Sequence, residues 1–205
     1  MAAASRCDAV LRHRLAKPLV WLLCLLPLAG LVWGAATGGL GANPAEALLR
    51  RSGDWTLRLL CVALAVTPVR LLLGWPALAR FRRLLGLFAF FYAVLHLLCW
   101  AWLDQGLDAA AMAHDVVQRP FILVGVATFV LLLALAATSP AAAVRRLGAR
   151  RWRRLHRCVY LAVLLALLHF FWMRAGKRDW AEVQVYGAVV AALLLARLLP
   201  WVRRR

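Results

Sequence analysis

Six apolar runs, roughly 18–36, 55–74, 84–103, 120–139, 155–173 and 181–200, alternate with short segments carrying Arg, Gly, Pro and Asp. At about 1.5 Å of rise per residue, each run is long enough to cross a hydrocarbon core of roughly 30 Å. The pattern predicts an all-α membrane protein, a bundle of six transmembrane helices. The first run, Leu19 to Ala36, follows Arg12, Arg14 and Lys17, as the apolar part of a signal peptide would. It is longer than such a segment usually is and more spans follow, so it reads as an uncleaved first helix. The expected organisation is a cytoplasmic tail at 1–17, a six-helix domain at 18–200 and a basic cytoplasmic tail at 201–205.

Composition agrees. Of 205 residues 65% are apolar and 17% charged, mean hydropathy is +0.77, and there are ten Trp, which excludes an ordinary soluble or disordered chain. The net charge of +18 suggests nucleic acid only if the basic residues share a soluble face. Instead they punctuate the apolar runs, so no nucleic-acid partner is expected and the surrounding partner is the lipid bilayer. Sixteen of them fall in the N-terminal segment, the second and fourth loops and the tail; the other three loops hold Arg50, Arg51, Arg174, Lys177 and Arg178. The positive-inside rule then puts both termini in the cytoplasm. Five scattered cysteines (Cys7, Cys24, Cys61, Cys99, Cys158) contain no CxxC pair and suggest neither a disulfide framework nor a zinc site.

Two outer loops carry local signals. After Gly38-Gly39-Leu40-Gly41, Asn43 is placed to cap a helix with Pro44 at its first position and Glu46 as the acid of a capping box. A short surface helix to about Arg51 is expected, and another within Asp104 to Gln118, around Asp108-Ala109-Ala110-Ala111.

Ionisable groups inside membrane helices are costly and so mark function. His96, His156 and His169 qualify, whereas His13 and His114 fall in a tail and a loop. The third and fifth helices run parallel. His96 is about 19 Å along its helix from Arg83, and His169 about 22 Å from Arg154, so the two imidazoles can face each other in the outer half of the bilayer. Zinc needs further ligands at that depth, and none is visible. Haem needs axial ligands and apolar walls, which His96 and His169 with the surrounding Leu, Phe and Trp supply. Histidines hydrogen-bonded between helices and a proton-relay or transport role remain open beside haem. His156, thirteen residues before His169, sits near the cytoplasmic surface. On an ideal helix it points roughly 140° away, so a bend is needed for both to serve stacked haems. No second histidine stands at 82–85 to complete an inner site. Arg174, Arg178 and Arg119 on the outer side, and Arg82, Arg83 and Arg157 on the inner, are candidate partners for haem propionates.

Several ordered stretches resemble a known family. They are Gly38 to Glu46, Arg82-Arg83-Leu84-Leu85-Gly86-Leu87 leading to Leu95-His96-Leu97, Arg119-Pro120-Phe121, Ala137-Thr138-Ser139, Trp152-Arg153-Arg154-Leu155-His156, Val159-Tyr160-Leu161 and His169-Phe170-Phe171-Trp172. Together they are similar to the haem-binding membrane subunit of the bacterial periplasmic protein-methionine-sulfoxide reductase, in the ferric-reductase-like transmembrane group to which NADPH oxidases are related. The resemblance covers nearly the whole chain. It implies a b-type cytochrome of the inner membrane with one or two haem b groups and FMN. His96, His156 and His169 are the implied iron ligands. The implied donor is the quinone pool or a cytoplasmic flavin reductase, and the implied partner is a periplasmic molybdopterin enzyme that reduces methionine sulfoxide and so repairs oxidised proteins. The wider group keeps two histidines on each of the third and fifth helices, one more than this chain has.

A haem with two axial histidines has no open position and relays electrons, so the sulfoxide chemistry is expected on the partner subunit rather than here. NADPH oxidases carry a nicotinamide- and flavin-binding unit after the last helix; only Arg203-Arg204-Arg205 follows the sixth run here, so a separate donor is expected. The alternative is a small transporter whose histidines relay protons or bind metal. Against it, the predicted spans lack buried Asp or Glu.

Overall fold

The structure, a computed structural model, describes residues 2–175 and 180–199. Among them there are helices and turns and no strand. The basic tail at 201–205, with Lys177 and Arg178, lies outside the described residues. Among the described residues ten α-helices follow one another: α1 Ala2–Arg12, α2 Ala16–Ala36, α3 Pro44–Leu73, α4 Arg82–Cys99, α5 Ala109–Gln118, α6 Pro120–Ala137, α7 Ala141–Leu147, α8 Ala149–His156, α9 Val159–Ala175 and α10 Ala181–Ala196. Among the described residues five stretches are long and apolar enough to cross a membrane: α2, α3, Pro76–Asp104, α6 and Ala149–Ala175. The sixth expected span is α10, 16 residues and about 24 Å long. This is a multi-pass helical membrane protein.

The main departure from expectation is α3. A surface helix and a separate span were expected around 43–51 and 55–74; one continuous helix of 30 residues forms instead. Arg50, Arg51, Ser52, Gly53 and Asp54 are polar, but none interrupts the hydrogen-bond ladder as proline does, and a single glycine costs a helix only about 1 kcal/mol. Its start is as predicted: Asn43 accepts from the Glu46 N–H at 3.1 Å, Pro44 follows, and Glu46 pairs with Arg50 at 2.7 Å. The preceding turn folds back because Gly38 and Gly41 take φ of +72° and +89°. Leu40 then seats on Gly34, where a Cβ would stand 2.8 Å from the leucine side chain.

The described residues form two compact units, residues 2–92 with 193–199, and residues 93–175 with 180–192. In the first, two helices carry an internal proline, and a polar side chain binds the backbone close to each. Pro27 lies inside α2. One residue on, the fully buried Tyr92 hydroxyl accepts from the Leu28 N–H (3.0 Å) and donates to the Cys24 carbonyl (2.8 Å), inserting itself into the rung between them. In α3, Pro68 has no N–H for the Leu64 carbonyl. Arg197 donates to that carbonyl at 2.7 Å. The same unit holds an end-to-end clasp between α1 and a 3₁₀ turn, Pro76–Phe81: Asp8 accepts from the Ala77 N–H at 2.7 Å, and Arg80 donates to the Leu11 and Arg12 carbonyls. The Ala77 N–H, then Arg12, hold the Asp8 carboxyl below its ordinary value of 3.8.

In the second unit, α6 and α9 pack along each other. After α4 the chain widens into a π-helical turn, Trp100–Asp104, and α5 follows Asp108, which caps the Ala110 and Ala111 N–H groups. The helix expected in this loop thus forms and runs to Gln118. Large apolar side chains such as Trp33, Leu22, Trp102 and Val130 face outward, as lipid contact demands.

Candidate functional site

His169 lies on α9 against α6. Its Nδ1 is 2.6 Å from the Phe121 carbonyl oxygen. A carbonyl only accepts, so Nδ1 carries the proton and Nε2 is the basic nitrogen. The ring rests where α6 has no side chain: a Cβ on Gly125 would stand 2.9 Å from both Cε1 and Nδ1. The Phe121 ring completes this wall, 6.2 Å from the imidazole. The structure brings His96 of α4 to the same place, its ring centroid 6.0 Å from that of His169 with planes at 77°. With metal–nitrogen bonds of roughly 2 Å, two imidazoles on opposite sides of one ion have centroids about 6 Å apart. Among the described residues no group of three or more His, Cys, Asp or Glu is placed to hold a metal ion. The pair is suited to a metal whose remaining ligands come from a macrocycle.

His156 is the last residue of α8. A break at Arg157 and Cys158 separates it from α9, so the thirteen steps from His156 to His169 are not those of one ideal helix. Its Nε2 is 3.1 Å from the Thr138 hydroxyl, and its ring stacks on Trp152 with centroids 4.0 Å apart. The Thr138 hydroxyl is 2.7 Å from the Ala134 carbonyl and gives its proton there, so His156 donates from Nε2. The Trp152 indole N–H binds the Thr138 carbonyl at 2.9 Å. Two stretches far apart in sequence, Ala137-Thr138-Ser139 and Trp152 to His156, are thereby joined.

The candidate arginines divide. Arg174 pairs with Glu182 at 2.5 Å and lies over the Phe170 ring; Arg119 pairs with Asp115 at 2.8 Å. Arg178 lies outside the described residues. Asp115 itself is buried and also accepts from Gln105 at 3.0 Å and the Trp100 indole at 3.3 Å, tying the π-helical turn to α5. The spacing of Asp115 and Arg119, one helical turn, was its sequence signal. Gly125 and Phe121 were missed; a glycine in an apolar run discloses nothing until the neighbouring helix is known.

The described residues are thus those of a multi-pass helical membrane protein in which two histidines on separate helices face each other. The family described as ferric reductase like transmembrane component matches residues 52–167, more than half of the chain, including His96 and His156 and stopping just short of His169. The chain is 60% identical over 184 residues to the protein-methionine-sulfoxide reductase heme-binding subunit MsrQ of Polaromonas naphthalenivorans (strain CJ2), covering 90% of this chain and 84% of that one. It is 56% identical over 189 residues to MsrQ of Bordetella pertussis, covering 92% and 91%. With MsrQ of Caulobacter vibrioides it shares 46% over 195 residues, covering 95% and 91%. The chain belongs to the MsrQ family of ferric-reductase-like membrane subunits.

Proposed function

We propose that this protein is the electron-carrying membrane subunit of a methionine-sulfoxide reductase, and that His96 and His169 are the axial ligands of a haem b. The observation that carries the reading is the facing pair itself, 6.0 Å apart, with His169 tethered through Nδ1 and its Nε2 left basic. The MsrQ relatives, named as heme-binding subunits, support it. Bound between two imidazoles, haem supplies reversible one-electron transfer. The protein's part is to hold both rings, exclude water with apolar side chains and fix which nitrogen of His169 is available.

In the same reading the protein lies in the inner membrane with both termini cytoplasmic. Electrons enter from quinol or a cytoplasmic flavin reductase on the side of His156 and the Arg-rich segment 145–154. They leave on the side of Arg119 and Arg174 to a periplasmic molybdopterin enzyme that reduces methionine sulfoxide. His156 is the candidate ligand of a second haem, although its Nε2 is engaged by Thr138. FMN rests on the family resemblance.

The test is a dithionite-reduced minus oxidised spectrum of detergent-purified protein, with haem and flavin quantified per chain. A low-spin b-type signal that disappears in both His96→Ala and His169→Ala is expected. Folded wild-type protein without haem, or full absorption in both variants, overturns the assignment. Colourless protein whose pH- or metal-dependent transport can be measured in vesicles favours the transporter instead.

A further inference from the structure

We infer that Gly125 and the Phe121 carbonyl of α6 position the His169 imidazole, so that one helix sets the tautomer and ring plane of a ligand carried by another. The inference rests on His96 and His169 being the haem pair, and goes beyond it by assigning a role to a residue with no side chain.

Three observations converge. First, the Phe121 carbonyl fixes the proton on Nδ1 at 2.6 Å. In a regular helix that oxygen already pairs with the Gly125 N–H, and its second lone pair accepts the imidazole. Second, the ring can approach because position 125 has no Cβ: one built there stands 2.9 Å from Cε1 and Nδ1 and 3.5 Å from Nε2. Third, Phe121 closes the site beside the ring. A clash at 2.9 Å must be relieved, and the imidazole is the freer party because it ends a side chain while Gly125 is helix backbone. The relief therefore moves the ligand. A ligand histidine held by hydrogen bond through its second nitrogen is more basic and oriented, and loss of such support typically weakens metal binding about 10–100-fold. Weakening this bond makes the ligand less electron-rich, which favours the reduced metal. Gly187 on α10 is the natural comparison, since a Cβ there meets nothing within 4 Å.

The experiment uses full-length holoprotein purified in detergent, as wild type, Gly125→Ala, Gly125→Ser and Gly187→Ala. Haem per chain, the low-spin fraction and the midpoint potential are read. The Gly125 variants are expected to lose low-spin haem, and what they retain is expected to have a raised midpoint potential; Gly187→Ala should match wild type. Unchanged spectra and potential in both Gly125 variants overturn the inference. If the Gly125 variants do not fold, NMR of ¹⁵N-histidine-labelled reduced wild type decides: a strongly hydrogen-bonded proton on His169 Nδ1 upholds it, and ligation through Nδ1 overturns it. Failure of the underlying reading looks different, since wild type then lacks haem or His169→Ala keeps it.

Discussion

His169 and His156 lie on consecutive helices and are each tethered by a polar group at an end of α6 or just beyond it, yet the tethers select opposite nitrogens. The Phe121 backbone carbonyl takes the Nδ1 proton of His169, while the Thr138 hydroxyl takes the Nε2 proton of His156. Beyond the tether the surroundings also differ: His169 faces a second imidazole, whereas His156 stacks on an indole. An intramembrane histidine is therefore not defined by its depth alone. The group that binds one ring nitrogen determines which nitrogen is left for chemistry, and the neighbouring ring determines what that chemistry can be.

The comparison can be broken most severely by His169→Ala or His96→Ala, each expected to lower haem per chain by more than about tenfold, as loss of a directly bound ligand should exceed loss of its support. In the reduced-minus-oxidised spectrum His156→Ala should retain the His96/His169 signal; its disappearance would mean that His156 and the His96/His169 pair form one cooperative site. Thr138→Val sharpens the contrast. It removes the acceptor of His156 and should cost about 1 kcal/mol for the lost part-buried hydrogen bond, seen as a lower melting temperature in detergent with the His96/His169 spectrum intact. Tyr92→Phe, in the other unit, should destabilise by about 1 kcal/mol through loss of a bridging hydroxyl, again without spectral change. The smallest effect concerns Asp8. Its lowered carboxyl contributes stability above its ordinary value of 3.8 and loses it as pH falls through the folded value. Accessibility of α1 to protease should rise at that acidic end in wild type and be pH-insensitive there in Asp8→Asn.

The helices, the cap at Asn43 and the approach of His96 to His169 were legible because they depend on hydropathy, spacing along one chain and the rise per residue. Continuity through Arg50 to Asp54 was not: polarity marks where a helix leaves lipid, but only a lost hydrogen bond or a favourable turn ends it. Gly125, Thr138 and Arg197 were hidden for another reason. Each acts on a residue of a different helix, and a pattern that fixes the apolar run does not fix which faces meet. Pro68 is instructive here. The sequence shows that the Leu64 carbonyl will lack its helical donor, but the arrival of Arg197, 133 residues away, is a tertiary event.

Tyr92 also gives the molecule an internal reporter. In most helices the resistance of an amide to deuterium exchange measures how often the helix opens. At Leu28 the amide is bound to a tyrosine hydroxyl, so its exchange registers the withdrawal of a side chain from α2 while the turns on either side stay closed. A single slow-exchanging site can thus follow the fit of α4 against α2 within this unit, independently of the melting of either helix.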